Sequence, residues 1–169
     1  MTGRRKGNDP MHQPRRDRMY EEHVKDPYIA RGKPPEPTAC PDCDAIFHKG
    51  RWRWGEAPEG ARRQQCPACS RIRDRVPAAI LTLSGDFFSS HREEIMKLVR
   101  HTEERETAEH PLERIMEIAD PEGESQVVIS YTGIHLAKGT GEALQHAYRG
   151  SFDFAYPDRD TVMHASWKR

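Results

Sequence analysis

Apolar positions are unevenly spread along the 169-residue chain, and their pattern divides it into three stretches. Residues 1–36 hold few of them and are broken by prolines, while Arg4-Arg5-Lys6 and Arg15-Arg16-Asp17-Arg18 supply charge. Ordering backbone costs about 1–2 kcal/mol per residue, and such a stretch buries too little to offset that. It is expected to be a basic arm, disordered when free. Asp26-Pro27-Tyr28-Ile29-Ala30 is the exception, a partly apolar patch expected to dock on the folded part.

In residues 37–77, Ala45 to Trp54 has strand character. Side chains alternate along a strand, which puts Ile46, Trp52 and Trp54 on one face and Phe47, Lys49, Arg51 and Arg53 on the other. Gly55 to Gly60, with Pro58, reads as a hairpin loop, and Arg62-Arg63-Gln64-Gln65 returns the chain. Arg71, Arg73 and Arg75 then recur at every second position in a short connector ending at Val76-Pro77.

Residues 78–169 alternate between the two periods. Ile80 to Leu83 reads as a buried strand ended by Gly85. A long helix follows, opened by a Ser90/Glu93 capping box or a turn earlier, near Asp86. Phe88, Ile95, Leu98, Val99 and Thr102 share its apolar face, and Pro111 ends it. Strands are expected over Ile115 to Ile118 and Gln126 to Thr132, and a helix over Ile134 to Arg149. Alternating Phe152, Phe154 and Tyr156, then Met163, Ala165 and Trp167, give two more strands. The order β-α-β-β-α-β-β predicts an α+β unit: a ferredoxin-like split βαβ sandwich with an extra C-terminal strand.

The chemistry lies in two matched turns, Cys40-Pro41-Asp42-Cys43 and Cys66-Pro67-Ala68-Cys69. Each aims two sulfurs at one point, and together they supply the tetrahedral thiolate set that Zn²⁺ prefers. One structural zinc in a zinc ribbon is the expectation, with iron in the same cage as the alternative. Redox dithiols or disulfides fit matched Cys-Pro-x-Cys units less well. His48 is not needed as a ligand.

Composition changes the picture in two ways. Hydrophobic residues make up 35% and charged residues 32%, so the core is modest, and no apolar run approaches the length of a membrane span. A cytoplasmic protein without a membrane partner is expected. The zero net charge is also unevenly held: residues 1–77 carry 17 Lys or Arg against 11 Asp or Glu, and residues 78–169 carry 10 against 16. A basic surface is therefore expected from Lys49, Arg51, Arg53, Arg62, Arg63, Arg71, Arg73 and Arg75, beside Trp52 and Trp54. Arginines and aromatics on a small rigid platform suit RNA, through phosphate pairing and base stacking. Both tryptophans serve equally well as the core of the ribbon, which has few other large residues.

Catalysis finds no assignable residues. His91, His101 and His110 lack the i, i+4 spacing of a helical metal site. Gly139-Thr140-Gly141 falls within a helical pattern rather than between a strand and a helix. Thr132-Gly133-Ile134-His135 opens a helix after a strand, where N–H groups hold an anion or a plain N-cap.

Several runs carry a resemblance. Asp26 to Lys33, Cys40-Pro41-Asp42-Cys43, Phe47-His48-Lys49-Gly50-Arg51-Trp52 and Cys66-Pro67-Ala68-Cys69 are among them. So are Leu83-Ser84-Gly85, His110-Pro111-Leu112-Glu113-Arg114-Ile115 and Ile134-His135-Leu136-Ala137. Over most of residues 26–169 the chain resembles a group of small uncharacterised bacterial zinc-ribbon proteins. More distantly, it is similar to the zinc-ribbon nuclear export adaptor family of the large ribosomal subunit. The resemblance implies an RNA or ribosomal-subunit partner and no known catalysis.

The sequence thus predicts a basic arm (1–36), a zinc ribbon with its connector (37–77) and an α+β unit (78–169). A non-catalytic RNA- or ribosome-binding accessory protein, acting in stress or dormancy, is the first expectation. A protein–protein adaptor working through the α+β unit is the second, and an enzyme with its site on that unit is the third.

Overall fold

The computed structural model describes residues 26–29, 32–120, 124–157 and 160–169. The basic residues expected in the arm, Arg15, Arg16 and Arg18 among them, lie outside these. The docked patch is seen for Asp26–Ile29: the Tyr28 hydroxyl donates to Asp74 at 2.9 Å, and Asp26 pairs with Arg71.

Four short strands form the first sheet: β1 (Thr38–Ala39), β2 (Ile46–His48), β3 (Arg51–Arg53) and β4 (Arg62–Arg63), in the order β3-β2-β1-β4. The expected single strand from Ala45 to Trp54 is instead a tight hairpin. His48 pairs with Arg51, which leaves Lys49 and Gly50 as the turn, both with positive φ (53° and 76°). Two such residues make the twist-matched turn of two-residue hairpins. The Glu36 carboxylate accepts from both turn N–H groups, at 2.8 and 2.9 Å.

The turn redistributes the faces. Cross-strand partners share a face, so Phe47 lies with Trp52, while Arg53 lies with Ile46 and Arg51 with His48. The return segment Arg62–Arg63 pairs in parallel with β1 rather than with β3. The connector after Cys66 is also not extended. Pro67 opens helix α1 (Pro67–Asp74), Cys66 is its N-cap, and Arg75 closes it in the left-handed region at φ 55°. Proline suits that first position because its missing N–H has no helical partner there.

The second sheet joins β5 (Ala79–Ser84), β6 (Ile115–Ala119), β7 (Gln126–Tyr131), β8 (Ser151–Ala155) and β9 (Met163–Lys168) in the order β6-β7-β5-β9-β8. The expected strands form, although β5 buries alternate residues rather than all of them and Tyr156 lies beyond the end of β8, and the extra C-terminal strand lies inside the sheet. It enters the sheet parallel to β5 and separates β5 from β8. Ala79, Leu81 and Leu83 of β5, Val127, Ile129 and Tyr131 of β7, and Met163, Ala165 and Trp167 of β9 all bury one face. They meet Phe88 of α2 (Asp86–Ser90), Ile95 and Val99 of α3 (Arg92–Glu109), and Leu136 and Leu144 of α4 (Ile134–Tyr148).

The expected long helix is broken at His91, and Ser90 bonds back to the carbonyl of Asp86 instead of capping. The first turn starts earlier because the carbonyl of Arg169 accepts from Phe87 and Phe88 at 3.0 and 3.2 Å. The Gly139-Thr140-Gly141 run lies inside α4, with Gly141 pressed on Phe152: an added Cβ would meet that ring at 2.0 Å. None of the helices among the described residues is long and apolar enough to cross a membrane.

The two sheets meet at the run His110-Pro111-Leu112-Glu113-Arg114. Thr132 clamps it, its hydroxyl donating to Leu112 O (2.7 Å) and accepting from Arg114 N (2.8 Å). Thr107 holds the other side by donating to Glu113 O at 2.6 Å. Leu112 packs on the cysteine cluster, and the Glu113 carboxylate accepts from Leu136 N at 2.9 Å.

Candidate metal centre

The cysteine sulfurs converge. One Sγ from each of Cys40, Cys43, Cys66 and Cys69 lies within 4.8 Å of the others. Cys43 and Cys66 are 3.8 Å apart, Sγ to Sγ. Metal–sulfur bonds of about 2.3 Å at tetrahedral angles require an S···S edge of about 3.8 Å, so this edge already has the length of a coordinated one. The four cysteines can hold a metal ion, and the all-thiolate set is consistent with zinc. His48 stands apart, its Nδ1 3.9 Å from Glu36.

The two knuckles reach this geometry differently. In the first, Cys40 N donates to Ala45 O at 2.8 Å and Asp44 N to Cys40 O at 3.1 Å. Asp44 takes the left-handed conformation that the turn requires, at φ 62°, and Asp tolerates it through local hydrogen bonding. In the second, the chain winds straight into α1, with Ser70 N donating to Cys66 O at 3.0 Å. No left-handed residue is needed there, so Ser70 does the work of a helix residue. Backbone N–H groups point at the sulfurs: Cys66 N at Cys40 Sγ (3.3 Å) and Cys69 N at Cys66 Sγ (3.4 Å).

Arg114 completes the cluster from the other unit. Its Nη2 approaches Cys43 Sγ at 3.2 Å and Cys66 Sγ at 3.7 Å, and its Nη1 approaches Cys69 Sγ at 3.4 Å. Burial pushes the Cys66 thiol well up and the Cys69 thiol to about 11, the latter against the pull of Arg114. Desolvation makes bare thiolates costly at Cys66 and Cys69, and a cation held there, with the guanidinium beside it, would supply the opposing charge.

The predicted basic and aromatic residues separate. Arg51, Arg62, Arg63, Arg73, Arg75 and Lys49 are exposed, and Arg53 is half-buried. Register puts Arg63 with Ala39 and Ile46, on the face that also carries Arg51 and Arg53, whereas Arg62 lies on the face of Phe47 and Trp52. Arg71 leaves the predicted surface. It is 6% exposed, paired with Asp26, stacked 4.4 Å over the Tyr28 ring, and donating to Val76 O. A helix turns its side chain inward, where an extended connector would have turned it out.

Trp52 is half-buried against the cysteines, its ring 5.6 Å from that of Phe47. Trp54 is 40% exposed, and its Nε1 donates to Thr107 O at 2.6 Å. The candidate anion site at Thr132 to His135 is taken internally. The Glu113 carboxylate stands where a Gly133 side chain would begin, and an added Cβ would lie 2.1 Å from its Oε2. Burial raises its pKa, against the hydrogen bond from Leu136 N. Arg114 and Glu113 escaped reading as site residues because no local periodicity marks them. Their adjacency to Pro111, at a helix end, was the available sign.

No protein-family model, curated protein or solved structure matches the chain, and function has to be read from the residues and their geometry.

Proposed function

We propose that this chain is a cytoplasmic, non-catalytic zinc-ribbon protein that grips RNA by its phosphate backbone, as a ribosome- or RNA-associated accessory factor. The observation that carries the reading is the register of the small sheet. Arg51 and Arg53 of β3 share a face with Arg63 of β4, and exposed Lys49 stands at the adjoining turn. Long side chains on a rigid platform lose less freedom on binding than the same charges on a flexible arm. Zinc in the tetrathiolate site supplies the rigidity. Its dianionic complex is partly offset by Arg114, which leaves the outward arginines as the attractive charge. The distant similarity to the large-subunit export adaptor family implies the same partner class. We read the C-terminal unit as a split βαβ sandwich with β9 inserted.

With four phosphate contacts, the logarithm of the binding constant should fall against log[salt] with a slope of about −3 to −3.5, at about 0.7–0.9 per contact. Replacing Arg51 and Arg53 by Gln should shallow that slope by about 1.5 and leave metal content unchanged. Titration of structured RNA or ribosomal subunits at several salt concentrations reads both. Absent binding at low salt, or equal slopes for both proteins, would sink the proposal.

A second reading has its own observation. Phe154 and Tyr156 are each 47% exposed on and just beyond β8, an edge strand whose outer side is unpaired among the described residues. That edge suits a protein partner, and salt-insensitive binding would favour it.

A further inference from the structure

The metal ligands all come from residues 40–69, yet the cation that touches their sulfurs comes from residue 114. Backbone N–H groups serve Cys40 and Cys66, whereas Cys43 and Cys69 receive theirs from Arg114. Its Nε donates to Pro111 O at 2.7 Å, and its backbone N and O pair with Thr132 at 2.8 and 2.9 Å. The side chain is therefore held before any metal arrives and points its fork at the sulfurs. A half-buried guanidinium needs a negative partner; the Pro111 carbonyl and the Trp54 ring are neutral, and its remaining hydrogen-bond partners are sulfurs. Neutral thiols do not compensate it. A tetrathiolate around a divalent ion, with two net negative charges, does.

We propose that Arg114 is an outer-sphere component of the metal centre, lent by the C-terminal unit to a tetrathiolate site for a thiophilic divalent cation. The consequence is linkage: the ion holds the ribbon against the second sheet through Arg114, and that docking raises affinity for the ion by the same factor. Outer-shell partners of metal ligands commonly contribute 10–100-fold in affinity. Arg114 is a positioning and charge-compensating residue here, acting through the sulfurs and making no bond to the metal. The inference rests on the metal reading of the four cysteines.

The experiment uses the full chain, with Zn²⁺ affinity read by chelator competition and Co²⁺ as an optical probe. Arg114→Ala should bind zinc about 10–100-fold more weakly. Its sulfur-to-cobalt charge-transfer bands should move to lower energy, because unbonded thiolate lone pairs lie higher. Arg114→Lys, which keeps the charge but not the fork, should fall between. Trp54→Phe removes a further inter-unit hydrogen bond, from Nε1 to Thr107 O, while keeping an aromatic ring beside the Arg114 guanidinium, which lies 5.8 Å from the Trp54 ring centroid, and should leave affinity and bands in place. Wild-type affinity and unmoved bands in Arg114→Ala would overturn the proposal. So would an equal loss in Trp54→Phe, or a Lys variant no better than Ala. A wild-type chain that takes up no Co²⁺ would remove the metal reading itself.

Discussion

The two sheets are built to similar rules and held by different forces. The ribbon sheet has strands of two or three residues, and its small buried set includes Ala39, Ala45, Ile46 and Phe47 beside the cysteines. The C-terminal sheet has strands of five or six residues and closes over Trp167, Tyr131, Phe88 and a row of Leu, Ile and Val. Each large apolar side chain buried there contributes about 1.5–3 kcal/mol, which a sheet of that size can accumulate and the ribbon cannot. A small unit without a sufficient core needs a covalent or metal staple. The difference teaches where each unit should fail: the ribbon at its metal, the C-terminal unit at its packing.

The largest expected effect separates them directly. Apparent metal binding in small ribbons is worth about 10–16 kcal/mol. Cys43→Ser or Cys69→Ser should therefore abolish stoichiometric metal and collapse amide dispersion across residues 38–75, leaving residues 78–169 folded. One cooperative loss of both units would break the comparison. Next comes the packing of the second unit. Leu81 is fully buried in the central strand, and Leu81→Ala should cost about 2–5 kcal/mol, measured by denaturant unfolding, with metal content unchanged. A metal-poor Leu81→Ala protein would mean that the ribbon leans on that core more than its contacts indicate.

The smallest effect concerns the joint. Burial raises the Glu113 pKa above its ordinary 4.5, so the folded state binds its proton more tightly than the unfolded chain does. The group's contribution to stability is fully present below that ordinary value and is lost as pH rises through the folded one. Glu113→Gln keeps an acceptor for Leu136 N and removes the titration. Its stability relative to the parent should rise with pH above the ordinary carboxylate value and level off once the folded-state group has ionised. A pH-independent difference in unfolding free energy would show that the carboxylate is not held in a desolvated state.

Much of this architecture was legible because its signals are local. Two Cys-x-x-Cys turns announce one tetrahedral site wherever they fold. Alternation at Val127, Ile129 and Tyr131, and at Met163, Ala165 and Trp167, marks strands with one buried face, and those residues are buried together; Ile80 to Leu83 reads as buried throughout, whereas only Leu81 and Leu83 are fully enclosed. Alternation carries no direction across space, and the sheet order shows it. The same strand pattern is compatible with β9 at the edge or beside β5, and only pairing chose the interior.

The ribbon was less legible for a related reason. A run of ten strand-like residues hid a turn at Lys49 and Gly50, whose positive φ values no hydrophobic pattern reports. Once the chain reverses there, every side-chain face after it is reassigned. Arg71, Arg73 and Arg75 look equivalent at every second position, yet a helical turn buries Arg71 on Asp26 and Tyr28 and leaves the other two in water. What the sequence determined by itself was the two cysteine turns, the strands of the C-terminal unit with the bulk of its helices, and the uneven charge, because each follows from residues within a few positions of one another. What tertiary structure decided was the meeting of Arg114 with Cys43 and Cys69, across more than forty residues of chain. That contact depends on where Thr132 clamps a loop, and no spacing along a sequence encodes it.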